Sequence, residues 1–384
     1  MNKKEAGFAT RSIHVGNEPD PSTGAVAPPI FATSTYAQEE LGKTKGYDYS
    51  RAGNPTRSRL EQNLASLEGG VAARVFSSGM ASVSALASLM KAGEHIVASN
   101  NLYGGVPRLF NQVLSNFGLE FTYVDTADPR NVTKAIRKST RFVYIETPTN
   151  PLMGLTDIAA VCEIAHKRGC QVVVDNTFMS PYFQQPIKFG ADIVLHSTTK
   201  FLNGHSDGIG SVLVCTTQEQ AEKLAFVQKA VGAILSPFEC WLVLRGVKTL
   251  AVRMKQHDES GRVIADYLSK HCKVKKVFYP GLKSHSQHEL ACRQMSGFGA
   301  LITFETGSLA NAKKVLKRVR VCTLGESLGG GETLVSHPAT MTHAATGAKG
   351  RKAIGLTDGM VRISVGIEDV GDLIADLDQA LGGI

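Results

Sequence analysis

The chain has 384 residues, of which 43% are hydrophobic and 20% charged, with a formal net charge of +8. At roughly 150 residues per domain this length suggests two or three packed units, and the composition excludes disordered and fibrous classes. No apolar run reaches the roughly 18 residues of a membrane span, and no apolar stretch of a secretion signal follows the basic start, so a soluble, cytoplasmic protein without a membrane partner is expected.

The basic excess does not single out nucleic acid as a partner. Its densest group, Lys313, Lys314, Lys317, Arg318 and Arg320, has the spacing of a solvated helix face, and an anionic small-molecule site explains part of the surplus equally well. Seven scattered cysteines without a C-x-x-C pair predict free, mostly buried thiols and no metal site.

In chain order, the first 50 or so residues carry Pro19, Pro21, Pro28 and Pro29 and little periodicity, which predicts an extended arm of the kind that wraps a partner subunit. The run Tyr47 to Arg57 has no packing pattern to justify its Tyr, Arg, Gly and Asn. Arg51 suits a bidentate phosphate contact and Tyr49 a phosphate hydrogen bond or proton transfer. Strands are then expected at Arg74 to Phe76, His95 to Ala98, Phe121 to Val124, Phe142 to Glu146, Gln171 to Asp175, Ile193 to His196 and Ser211 to Cys215. Helical patterns fall between them at Ala81 to Lys91, Pro107 to Asn116, Asn131 to Arg137, Ile158 to Arg168 and Glu219 to Lys229. Such alternation implies a mostly parallel sheet covered on both faces.

Ser77-Ser78-Gly79-Met80 follows the first strand and opens a helix, placing backbone N–H groups where an anion can sit; an ordinary Ser-Gly turn is the competing account. Tyr103, past the second strand, is either an aromatic ring for stacking near the same mouth or a turn tyrosine. Asp175 ends an apolar strand, and Lys200 follows the next one after Ser197-Thr198-Thr199. Open α/β sheets bind ligands at these strand ends. An acid and a lysine there fit a cofactor with a pyridine ring, the acid pairing with the ring nitrogen, the amine forming an imine, and Ser197 and Thr199 serving a phosphate. A surface lysine and a helix-capping acid remain the alternative on those two residues alone.

Past residue 235 the texture changes. A long helical stretch from Pro237 to Lys270 leads to strands at Val274 to Phe278, Ala300 to Glu305 and Met360 to Val365, with helices at Ala310 to Val319 and Asp369 to Leu381, which reads as a smaller α+β unit. Arg362 is a charge in an apolar strand; it calls for an anionic partner, either a substrate carboxylate or a local ion pair with Glu368 or Asp369.

With YSRAGNPTR, SSGM, ETPTNP, VVDNTF, HSTTKFLNGHSD and VRISVGIED in this order, the chain resembles the Cys/Met-metabolism enzymes of the γ-subfamily of pyridoxal-phosphate proteins over nearly its whole length. The resemblance implies an aspartate-aminotransferase-like type I fold. It comprises an arm over 1–55 that contacts a neighbouring subunit, a large cofactor-binding domain over 56–250 and a small α+β domain over 251–384, assembled as a homotetramer of two dimers. It further implies pyridoxal 5'-phosphate held covalently on Lys200, with Asp175 on the ring nitrogen, Tyr103 stacked on the ring and Asn150 near its hydroxyl. Gly79, Met80, Ser197 and Thr199 would hold the phosphate, joined by Tyr49 and Arg51 from the neighbour.

By the same resemblance Arg362 and Ser327 receive the substrate carboxylate, Glu326 takes the distal amino group, and Asn150 and Asp48 complete the substrate site, with Lys200, Tyr103 and Tyr49 catalytic. Glu326 resembles the glutamate of γ-lyases and γ-synthases, and the run Asn176 to Phe183 is similar to γ-lyases, which implies α,γ-elimination of L-cystathionine to L-cysteine, 2-oxobutanoate and ammonia. Asp48 is more typical of γ-synthases, and Leu328 stands where enterobacterial β-lyases have Trp; γ-replacement and β-elimination are the alternative reactions.

Overall fold

The computed structural model describes residues 6–344 and 347–384. Seven strands form the first sheet: β1 (Ala72–Phe76), β2 (His95–Ser99), β3 (Glu120–Val124), β4 (Thr140–Glu146), β5 (Gln171–Asp175), β6 (Ile193–Ser197) and β7 (Ser211–Cys215). Their order is β1-β7-β6-β5-β4-β2-β3. Only β7 runs against its neighbours, so the sheet is mostly parallel, as the alternation of elements predicts.

Side chains alternate across this sheet. Val143, Ile145, Val172, Val174, Val194, Val212 and Val214 enter one core cluster, while Phe142, Tyr144, Val173, Ile193, Leu195 and Leu213 enter the cluster on the other face. Both faces are therefore apolar and helix-covered, which is why these strands read as continuous hydrophobic runs. Each such buried side chain contributes roughly 1.5–3 kcal/mol of transfer free energy.

The second sheet holds β8 (Lys276–Phe278), β9 (Leu301–Glu305), β10 (Thr323–Leu324), β11 (Leu334–Ser336) and β12 (Met360–Ser364), in the order β10-β11-β12-β9-β8. A third core cluster packs Ile302, Phe304, Val361 and Ile363 against Ile264, Leu268, Leu373 and Leu377 of the helices Leu250–Lys270 and Val370–Leu381.

Three segments depart from the sequence expectation. The expected continuous stretch from Pro237 to Lys270 is two helices, Pro237–Val247 and Leu250–Lys270. The arm contains a helix, Phe8–His14, and is fixed to its own chain where Asn63 Nδ2 donates to the Val15 carbonyl at 2.8 Å. The helix Pro55–Glu68 was not expected at all; it buries Leu60, Leu64 and Leu67 in the core, but Arg57, Asn63 and Glu68 are buried beside them and interrupt that stripe. Its start was nonetheless written in Asn54-Pro55: the Asn54 side chain accepts the N–H groups of Thr56 and Arg57, and Pro55 fills the first helical position.

Candidate active site

The C-terminal ends of the parallel strands converge with the second sheet on one cleft of about 270 Å³. Strand β1 delivers Ser78, Gly79 and Met80, β4 is followed by Asn150, β5 ends in Asp175, and β6 leads to Ser197, Thr199 and Lys200. Tyr103 enters from the segment after β2, and Glu326, Ser327 and Arg362 come from the second-sheet region.

Gly79 opens the helix Gly79–Ala87, whose first-turn amides have no helical acceptor. A Cβ at Gly79 would sit 3.8 Å from the Ser197 side chain, so the strand β1 turn and the strand β6 end face each other closely. Thr199 is fixed by the backbone of Gly210, whose N–H it accepts at 3.1 Å.

Lys200 donates from Nζ to Ser327 Oγ at 2.6 Å. Burial, reinforced by the Arg362 cation and opposed by Glu326, pushes its amine down to about 8. Ser327 has the left-handed φ of 87°, a conformation costly for a non-glycine residue. Its carbonyl accepts from Arg362 Nη2 at 2.7 Å while its hydroxyl holds the lysine.

Asp175 accepts the Thr177 N–H at 3.0 Å and hydroxyl at 2.5 Å, both on Oδ1. Burial raises its carboxyl above the usual range. A cationic ring nitrogen held by Asp175 would offset that cost, since an opposite charge favours the ionised acid. Arg362 is 2% exposed and donates from Nη1 to Asn150 Oδ1 at 3.0 Å. Its Nε is buried with no partner, an orphaned donor suited to a carboxylate. The ion pair considered with Glu368 is not formed: that carboxylate accepts the N–H and hydroxyl of Thr333. The donor at the phosphate end, the acid at the floor, the amine and the unsatisfied guanidinium fit pyridoxal 5'-phosphate together with an amino acid.

Three sequence-predicted residues are not brought to this cleft by the chain itself. Asp48, Tyr49 and Arg51 are exposed; Asp48 accepts the Tyr49 N–H at 2.6 Å, and Arg51 donates to the Lys229 carbonyl at 2.6 Å. Conversely, Glu146, Thr177 and Thr342 line the cleft without having been singled out. Glu146 was findable by the reasoning applied to Asp175, since it ends the neighbouring strand in register with it. Thr342 follows no strand expected from sequence, and nothing in its local pattern marks it.

Among the described residues no group of three or more His, Cys, Asp or Glu is placed to hold a metal ion, and no helix is long and apolar enough to cross a membrane. All seven cysteines are free, with Cys272 and Cys292 exposed.

Relatives with three different reaction names lie at nearly equal distance. The chain is 48% identical over 375 residues to the cystathionine gamma-lyase of Bacillus subtilis (strain 168), covering 98% of this chain and 99% of that one. It is 47% identical over 381 residues to the cystathionine gamma-synthase of Mycobacterium tuberculosis (strain ATCC 25618 / H37Rv), covering 98% and 97%. It is 47% identical over 383 residues to the cystathionine beta-lyase of Coxiella burnetii (strain RSA 493 / Nine Mile phase I), covering 99% of each. Among solved structures, the cystathionine gamma-lyase from Lactobacillus plantarum complexed with L-serine superposes with a TM-score of 0.97 at 44% identity, covering 99% of both chains. Residues 9–382 match the family described as Cys/Met metabolism PLP-dependent enzyme, and with the cleft geometry this places the chain in that family as a pyridoxal-phosphate enzyme of sulfur amino-acid chemistry.

Proposed function

We propose that the protein is a cystathionine γ-lyase, converting L-cystathionine and water to L-cysteine, 2-oxobutanoate and ammonia. The observation that carries the choice of a cystathionine-like substrate is Glu326 in the lining of the cleft that holds Lys200 and Arg362, an acid that can take the distal ammonium of a long diamino substrate; the choice of α,γ-elimination rests on the likeness of Asn176 to Phe183 to γ-lyases. Arg362, with its free Nε and its contact to Asn150, would seat the α-carboxylate at the other end; Ser327 shares that role.

When bound, the cofactor supplies an electron sink for charge developing at Cα and Cβ. Asp175 would keep the ring nitrogen protonated, Tyr103 would lie against the ring, and Gly79, Met80, Ser197 and Thr199 would hold the phosphate. Lys200, its amine already inclined to be neutral, would take the Cα proton and return protons along the substrate. Tyr103 would protonate the departing sulfur.

Tyr49, Arg51 and Asp48 enter this site only from a neighbouring chain. We therefore place them in a homotetramer, with residues 1–55 as the exchanging arm, 56–250 holding the cofactor and 251–384 closing the site, acting in the cytoplasm. Incubating the protein with L-cystathionine and identifying products tests the reaction: 2-oxobutanoate and cysteine are expected. Pyruvate with homocysteine would establish β-elimination instead. Cystathionine made from an O-acyl-homoserine and cysteine, without appreciable elimination, would establish γ-replacement.

A further inference from the structure

Glu146 has no role in the assignment above, yet it is 5% exposed and lines the cleft. It ends β4 directly opposite Asp175 of β5, so two carboxyls stand side by side at the cleft floor. Burying a carboxyl without a cation is costly, and here burial together with the charge of Asp175 raises Glu146 to about 8. A position held against such a cost needs a compensating use.

Its hydrogen bonds supply one. Oε2 accepts the backbone N–H of Tyr103 at 2.7 Å, and Oε1 accepts the backbone N–H of Asn150 at 3.3 Å. Those two segments belong to different strand ends and carry different tasks. Asn150 continues through Oδ1 to Arg362, Arg362 to the Ser327 carbonyl, and the Ser327 hydroxyl to Lys200. Glu146 is thus the fixed end of a hydrogen-bonded chain that reaches the amine, and it also sets the backbone from which the Tyr103 ring projects.

We infer that Glu146 is a positioning residue, a two-oxygen clamp that aims Tyr103 at the cofactor face and Asn150 at Arg362. This rests on the reading of the cleft given above. The clamp needs two acceptors at full side-chain reach. A glutamine offers one acceptor and one donor, and the donor would face an N–H. An aspartate keeps the carboxyl beside Asp175 but is one methylene too short to hold both segments.

The test compares reconstituted holoenzyme of wild type, Glu146→Gln and Glu146→Asp at equal cofactor content. Two readouts are taken: the circular dichroism of the cofactor's visible band, which reports the ring's asymmetric surroundings, and the dissociation constant for L-cystathionine from its spectral change. The clamp predicts that both variants lose much of the visible dichroism and bind L-cystathionine about tenfold more weakly, the scale of one hydrogen bond. It also predicts that Glu146→Gln added to Asn150→Ala weakens binding by less than the product of the single effects, because the acid acts through the amide.

Wild-type behaviour of Glu146→Asp would show that a carboxyl of any reach suffices and overturn the clamp, as would full additivity with Asn150→Ala. Should Glu146→Gln not fold, the aspartate variant and its own combination with Asn150→Ala decide the matter. A wild-type protein that shows no visible cofactor band after reconstitution would overturn the cleft reading itself. A normal wild-type band with unaltered variants overturns only the inference.

Discussion

Lys200 shows how position changes what a side chain can do. An ordinary lysine, at 10.5, is neutral in roughly one molecule in three hundred at pH 8, whereas one lowered to about 8 is neutral in about half. The sign is fixed by the cause: burial and Arg362 penalise the cation, so the reactive neutral form gains as pH rises. Covalent capture of pyridoxal phosphate by the apo-protein should therefore accelerate from about pH 6 toward pH 8 and flatten above about pH 9. Stopped-flow absorbance across that range measures it; a midpoint remaining near the ordinary lysine value would contradict the structure. Lys200→Ala should retain no borohydride-trapped cofactor on that peptide. Lys200 and Asp175 were legible in the sequence because each follows an apolar strand whose end is a ligand mouth. Glu146 was equally placed but stands in ETPTNP, of which only Asn150 was given a role.

Elements were legible where their period is simple. The seven strands of the first sheet are short apolar runs, and Gln171–Asp175 and Ser211–Cys215 coincide with the expected bounds. The helix Pro55–Glu68 was not, because its apolar stripe of Leu60, Leu64 and Leu67 shares the inward face with Arg57, Asn63 and Glu68, which are buried through hydrogen bonds. Arg57 Nη1, for example, donates to the Ser50 carbonyl at 2.7 Å. Its cap is also an anchor for the arm: Asn54 Nδ2 donates to the Phe31 carbonyl at 2.9 Å while its Oδ1 accepts from the helix. Asn54→Ala should cost ~1–2 kcal/mol locally. Hydrogen exchange at the Thr56 and Arg57 amides should quicken by roughly tenfold or more; unchanged protection would show that the cap is dispensable. The end of the helix Pro237–Val247 is likewise fixed by a local contact. A Cβ at Gly246 would lie 2.2 Å from the Asn203 carbonyl oxygen, so only a glycine lets this helix end reach the turn beyond Lys200.

At the scale of the whole molecule, the described chain builds a cleft to which Tyr49 and Arg51 are absent. If a neighbour supplies them, each of two differently damaged chains can complete the other's site. Mixing Lys200→Ala with Arg51→Ala subunits, unfolded and refolded together, should regain 2-oxobutanoate production that neither has alone. Light scattering would confirm the mixed oligomer; no recovery despite mixing would place Arg51 outside the site. A partnership of chains is only the expectation raised by the proline-rich, aperiodic arm, whereas the joining of the two sheets was not readable, since it depends on tertiary contacts between distant segments. One of those contacts serves two ends of the site. Ser327 gives its carbonyl to Arg362 and its hydroxyl to Lys200, so one residue holds both the guanidinium and the amine. If Arg362 seats a substrate carboxylate as proposed, the two ends of the site share a single hinge of hydrogen bonds, and Ser327→Ala should disturb the seat and the lysine together.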